Sequence, residues 1–153
     1  MKFSILSTLL LATISMVCAR KVDLPNCPPR PITHSDQRAI FADFRRKFYI
    51  DKNATSAIND HLAEDYIQHN PNVLSGRQNA LDSLGPVLAL FNTTIVNFGF
   101  DANVGWVHYK LEFGPGPYSA VVDVFRFNGS CIQEHWDVAQ TRPENATNPL
   151  ALF

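Results

Sequence analysis

Two acid-bearing arms joined by a tight turn constrain this chain more than any other feature. Residues 121–140 read Val-Val-Asp-Val-Phe-Arg-Phe-Asn-Gly-Ser-Cys-Ile-Gln-Glu-His-Trp-Asp-Val-Ala-Gln. The apolar alternation on either side of Asn128-Gly129 predicts two antiparallel strands, because that dipeptide accommodates the positive φ angles of a hairpin turn. Each arm carries an acid where a strand favours apolar, β-branched or aromatic residues: Asp123 on the first, Glu134 and Asp137 on the second, with His135 between the last two. A carboxylate on a covered sheet face is costly unless it is paired, hydrogen-bonded or used. The hairpin is therefore the candidate working surface.

Period-two alternation sorts its faces. Gln133, His135 and Asp137 share one face of the second arm, and Ile132, Glu134, Trp136 and Val138 the other. On the first arm Asp123 goes with Phe125 and Phe127, and Val122 with Val124 and Arg126. Two readings follow. Either the polar trio and Asp123 line a cavity and present two carboxylates and an imidazole to a small molecule, or the same residues dot an exposed face as structural ion pairs.

Residues 1–19 are expected to be a signal peptide. Lys2 gives a positive start, Phe3 to Val17 an apolar run, and Val17-Cys18-Ala19 a small-residue cleavage site. The run is short of the ~20 apolar residues that cross a bilayer, so an uncleaved anchor is the weaker alternative. Cleavage after Ala19 removes one of three cysteines and leaves Cys27 and Cys131. In a secreted protein two thiols suggest a disulfide, which here would tie the N-terminal arm to the hairpin turn; two free thiols are the alternative. Four Asn-X-Ser/Thr sequons, at Asn53, Asn92, Asn128 and Asn145, fall in expected loops or element ends and fit glycosylation on a eukaryotic secretory route. A net charge of −1 gives no electrostatic case for nucleic acid or an anionic membrane as partner.

The remaining chain divides into an arm, a domain and a tail. Residues 20–35 hold four prolines, which predicts an extended arm. A helix is expected from Ser35 or Asp36, burying Ile40, Phe41, Phe44 and Phe48 on one stripe. A short second helix is expected from about Thr55 to Leu62. Tyr66-Ile-Gln-His-Asn-Pro71 is a held, non-helical segment, since Pro71 pushes Asn70 towards extended backbone. It sets His69 among Tyr66 and Gln68, possible partners for both ring nitrogens. Ser75 is expected to cap a third helix with a Leu81, Leu84, Leu88 and Phe91 stripe, broken at Gly85-Pro86. From Asn92 the pattern turns to period two: strands over Thr93 to Phe100 and Val104 to Phe113, then the hairpin, making four antiparallel strands. Residues 143–153 form a tail that folds over the cavity mouth or the sheet edge. Helices followed by an antiparallel meander give an α+β layout, a curved sheet wrapped around N-terminal helices as a cone.

Tyr66-Ile-Gln-His-Asn-Pro71 with Gly76 soon after, Val121-Val-Asp-Val-Phe-Arg126 and Ile132-Gln-Glu-His-Trp-Asp137 together resemble the SnoaL-like polyketide cyclase family, and within it the branch of predicted aldol-condensation-catalysing enzymes. The likeness spans roughly residues 36–142. It implies the cone-shaped fold of nuclear transport factor two, ketosteroid isomerase and scytalone dehydratase, with homodimers formed through the outer sheet face. It also implies an acid/base role for Asp137, which matches the family's aspartate at the end of the last strand. Asp123 stands where the family carries a histidine, a departure from its pattern, since a carboxylate donates to an enolate oxygen only when protonated. His69 and His135 are the candidate replacement donors, and Tyr66, Gln68, His108 and Phe125 the expected pocket residues around Asp123 and Asp137. The expected ligand is a small hydrophobic molecule, with no cofactor and no metal. The reading is acid/base enolate chemistry on a carbonyl compound, against two alternatives: a secreted binding or interaction protein without catalysis, and a dehydratase or isomerase on the same scaffold.

Overall fold

The computed structural model describes residues 25–153. The expected signal segment and the first residues of the arm lie outside the described residues. Thr33 caps the first helix, α1 (His34–Arg45), in a reciprocal capping box with Asp36, so that the helix begins one or two residues earlier than the sequence suggests. Phe41 and Phe44 from its apolar stripe are buried, with Ile40 and Phe48 packed beside them. The helix then widens into a π-helical turn, Arg46–Ile50, which carries Tyr49 into the interior. Asn53 caps α2 (Ala54–His61) by accepting a hydrogen bond from the Ser56 N–H.

The chain next enters a strand, β1 (Leu62–Gln68), where the sequence reading placed the end of a helix and an irregular segment. β1 runs parallel to the last strand and pairs irregularly: Leu62 faces Ile132, but Ile67 already faces Glu134. This irregular edge, with Glu64 and Asp65 exposed, hides the period-two signal. Ser75 does not cap α3 (Arg77–Leu84). Its hydroxyl instead accepts from the Gln68 N–H at 3.0 Å, and Gly76, at φ 104°, takes the cap position. The helix ends before Gly85-Pro86, and a 3₁₀ turn, Leu88–Leu90, follows.

β2 (Asn92–Asp101), β3 (Val104–Glu112), β4 (Ser119–Asn128) and β5 (Cys131–Thr141) form the expected antiparallel run. The described sheet has five strands in the order β1-β5-β4-β3-β2, and it is open. The helices cover one face, and Phe41, Phe44, Ile58, Val107, Phe125, Phe127 and Ile132 fill the core between. The tail passes behind the sheet rather than over its hollow: Phe153 stacks on His108 with ring centroids 5.6 Å apart and meets Tyr118.

The β4–β5 pairing corrects one face assignment. Arg126 faces Glu134 and Phe127 faces Ile132, so Gln133 is an extra, bulged residue. The bulge turns Ile132 into the core and sends the Gln133 amide to Asp65 on β1 at 3.0 Å, away from His135 and Asp137.

The turn of this hairpin anchors the arm. Cys27 and Cys131 are joined in a disulfide. Arg30 and Ser130 exchange bonds through backbone and hydroxyl at 3.0 Å, and the Gln37 amide donates to the Gly129 carbonyl at 2.9 Å. Gly129 has φ 52°, and a Cβ there would lie 2.2 Å from the Arg30 carbonyl oxygen. Gly129→Ala is accordingly expected to cost more than ~1 kcal/mol, since the left-handed backbone alone carries about that penalty and the arm must also shift. An unchanged urea midpoint would contradict this tight docking.

Candidate functional site

Asp123 and Asp137 face each other directly across β4 and β5, two pairs along from Phe125 opposite His135. The regular register above the bulge puts all four side chains on the helix-covered face, where they form one wall of a cavity of about 210 Å³. Tyr66, Gln68 and Asn70 reach the same space from β1 and the residues after it, Tyr49 from the π turn and Tyr109 from β3. Elsewhere the lining is mostly phenylalanine, leucine and other apolar groups, and among the described residues it contains no lysine or arginine.

Hydrogen bonds and close polar contacts link the groups at the polar end. The Tyr49 hydroxyl donates to Asp123 Oδ2. Asp123 Oδ1 lies 3.3 Å from His135 Nε2. His135 Nδ1 lies 2.8 Å from Gln68 Oε1 and 3.9 Å from Asp137 Oδ2. Asn70 Nδ2 donates to that same Asp137 oxygen at 2.7 Å. The His135 ring also rests on Phe125, centroids 4.8 Å apart. Burial first, and then the negative charge of Asp123, push the Tyr49, Tyr66 and Tyr109 phenols well above their usual range. All three therefore remain protonated donors at neutral pH.

By residue type and closeness, with donor atoms within 4.8 Å of one another, Asp123, His135 and Asp137 could surround a divalent cation. Their existing partners favour a different description. Each carboxylate already accepts from a neutral donor, and His135 Nδ1 is engaged by Gln68, so the set is complete as a hydrogen-bonded network.

The structure thus brings together Asp123, His135, Asp137, Tyr66, Gln68 and Phe125 from the sequence reading. It does not bring in His69 or His108. His69 stacks flat on Trp136, with centroids 4.8 Å apart, and bonds Glu134 at 2.8 Å on the outer face. The His69 bond, seconded by Arg126, holds the Glu134 carboxyl below its ordinary range. Glu134 is part of this outer cluster and not of the cavity. His108 points outward because its neighbours Val107 and Tyr109 point in. Tyr49, Asn70 and Tyr109 are site residues the sequence reading missed. Asn70 had a signal, the parity it shares with Tyr66 and Gln68. The four sequon asparagines, Asn53, Asn92, Asn128 and Asn145, are all exposed.

Neither a protein-family model nor a curated protein matches the sequence. Solved structures do match in fold. A nuclear-transport-factor-two-like protein of unknown function from Cytophaga hutchinsonii superposes with a TM-score of 0.58 at 13% identity, covering 72% of this chain and 93% of that one. A provisionally assigned polyketide cyclase from Acidithiobacillus ferrooxidans gives 0.54 at 13% identity, over 69% of this chain and 88% of that one. An epoxide hydrolase of the LEH-like type from Mycobacterium tuberculosis gives 0.55 at 16% identity, over 69% and 84% respectively. The chain has the nuclear-transport-factor-two-like fold, the cone shared by SnoaL-like proteins. Identity at this level establishes the scaffold and leaves the reaction to be argued from the site.

Proposed function

We propose that the cavity holds a small, uncharged and largely apolar carbonyl compound and performs acid/base enolate chemistry on it, of the aldol condensation or cyclisation type. One observation carries this reading: Asp123, His135 and Asp137 stand side by side at one end of an otherwise apolar hollow, with His135 Nε2 3.3 Å from Asp123 and Nδ1 3.9 Å from Asp137. At about 210 Å³ the hollow is smaller than the ~300–1,000 Å³ typical of sites for drug-sized ligands. Among the described residues, an anionic guest would meet two carboxylates and no cationic side chain from lysine or arginine.

In this mechanism Asp137 takes the proton α to the carbonyl. The C–H electron pair becomes the enolate double bond, and the carbonyl π pair moves onto oxygen. The Tyr66 hydroxyl accepts from Gln68 and so has its own hydrogen free for that oxygen. The enolate carbon then attacks a second carbonyl, and the resulting alkoxide takes a proton from the Asp123–His135 side. Once the product leaves, the proton left on Asp137 returns to the Asp123–His135 pair by exchange with water, leaving the enzyme unchanged. Asp137→Asn is expected to slow turnover of an activated ketone or polyketide mimic by at least ~10²-fold, the range general acid/base groups contribute. Unchanged turnover would remove Asp137 from the chemistry.

The predominantly apolar lining favours a second reading, a carrier of lipophilic molecules. Stabilisation of the wild-type protein by a ligand panel, without turnover of any member, would select it. The secretory setting is part of the proposal and is supported by the Cys27–Cys131 bond and the exposed sequons. A homodimer through the outer sheet face is supported by the apolar row Trp106, Val124 and Trp136 on adjacent strands, with Val138 exposed beside it.

A further inference from the structure

Gln68 is placed to do more than line the cavity. Its Oε1 accepts from the Asn70 backbone N–H at 2.9 Å. A backbone N–H only donates, so the atom facing it is the amide oxygen, and the orientation of the Gln68 side chain is fixed. The same oxygen lies 2.8 Å from His135 Nδ1. An oxygen that only accepts requires that Nδ1 carry hydrogen. In a neutral imidazole Nε2 would then present a lone pair to Asp123 Oδ1 at 3.3 Å. A lone pair that close to a carboxylate oxygen is repelled unless one of the two groups carries a further proton.

We propose that Gln68 is a tautomer-fixing residue that holds the His135 Nδ1–H, so that the buried Asp123–His135 pair stores one transferable proton while Asp137 stays the unprotonated base. The stored proton is either on Nε2, as an imidazolium beside a carboxylate, or on Asp123, as a carboxylic acid donating to Nε2. Both forms can release it towards the cavity. The described groups that face the pair are not proton sources: Tyr49 from the π turn, Tyr66 from β1 and Tyr109 from β3 are phenols that keep their protons, and Asp137 from β5 is held by Asn70. This explains how a site with aspartate on both arms can supply an acid and a base together, and it assigns Gln68 and Asn70 as positioning residues. The catalytic use of the proton rests on the enolate reading above; the tautomer itself does not.

The two are separable by experiment. In the full chain labelled with ¹⁵N-histidine and ¹³C-aspartate, the neutral-pH spectrum is expected to show His135 Nδ1 protonated. It should also show either Nε2 protonated or the Asp123 carboxyl in its acid form. A neutral Nε2–H imidazole, or an Nδ1–H imidazole beside an ionised Asp123, overturns the proposal without any substrate. Gln68→Leu should release the ring to the Nε2–H tautomer, whereas Gln68→Glu, which restores an acceptor, should keep Nδ1 protonated. Persistence of Nδ1–H in Gln68→Leu would show that Gln68 is not the lock. If Gln68→Leu fails to fold, the wild-type spectrum still decides. Where turnover is measurable, Gln68→Leu should lose ~10²-fold or more, with most of that recovered in Gln68→Glu. The expected spectra without turnover in the wild type would support the tautomer lock and defeat the enolate reading alone.

Discussion

Replacing Cys27 and Cys131 together by serine is expected to lower the unfolding free energy by up to ~4.7 kcal/mol, the chain-entropy value for a loop of about 100 residues. The bond spans 104 residues, nearly the whole described domain. The effect should come from the unfolded chain, because the folded arm has other anchors. The Arg30–Ser130 bonds, the Gln37–Gly129 bond and the Ser130 hydroxyl on the Asn26 carbonyl all remain when the sulfurs are gone. The native structure should therefore survive, with a melting temperature lower by roughly 10–15 °C, at a few degrees per kcal/mol for a domain this size. Thermal unfolding of the double variant against the oxidised wild type, followed by circular dichroism, measures it. A drop of only a degree or two would mean that the unfolded chain is already compact around this contact, and the entropic account would fail.

The sequence made the sheet's main features legible because each rests on a short-range rule. Asn128-Gly129 locates the hairpin, and alternation through Asp123, Phe125, His135 and Asp137 puts those residues on one face. What it hid were departures of a single residue. The bulge at Gln133 reverses parity for the first stretch of β5, which no local propensity announces. The π turn after α1 adds a residue to the helical repeat and swings Tyr49, off the Phe41–Phe44–Phe48 stripe, under the sheet to meet Asp123. β1 is a parallel edge strand whose pairing partner lies some 65–70 residues later in the chain, so its existence depends on a contact that periodicity does not encode.

The two displaced histidines have a different lesson. His69 and His108 were attractive by residue type, yet strand parity argued against both. Val107, Tyr109 and Leu111 form the apolar row of β3, which sends His108 outward. Tyr66, Gln68 and Asn70 share the inward parity, which sends His69 to Trp136 and Glu134. Applied to every strand, the rule that found Asp123 and Asp137 would have exchanged these histidines for Tyr109 and Asn70. Chemistry-bearing residue types are poorer guides to a cavity than the direction in which the backbone points them.

A third histidine, unused by the site, sets the acid sensitivity of the fold. His61, at the end of α2, is fully buried. Asn26 Nδ2 lies 2.9 Å from its Nδ1 and Asp43 Oδ2 lies 3.2 Å from its Nε2, an arrangement suited to a neutral ring. Burial, reinforced by the Lys47 ammonium, depresses its pKa from 6.5 to about 4. Above pH 6.5 the ring is neutral in both folded and unfolded chains and stability is at its full value. As pH falls from 6.5 to about 4, the unfolded chain takes up a proton that the folded chain refuses, and stability drops; below about 4 both forms are protonated and the loss levels off. At 1.36 kcal/mol per pH unit the loss across this window is on the order of 3 kcal/mol. Asp43, at about 2, is pushed up by burial but pulled down further by its bonds to Lys47 and Arg46, and it adds a separate loss only below pH 3.8. Urea unfolding at pH 7, 5.5 and 4.5 should trace the first loss, and His61→Gln should flatten it while lowering stability at pH 7. A His61→Gln curve with the wild-type slope would assign the acid sensitivity to other groups.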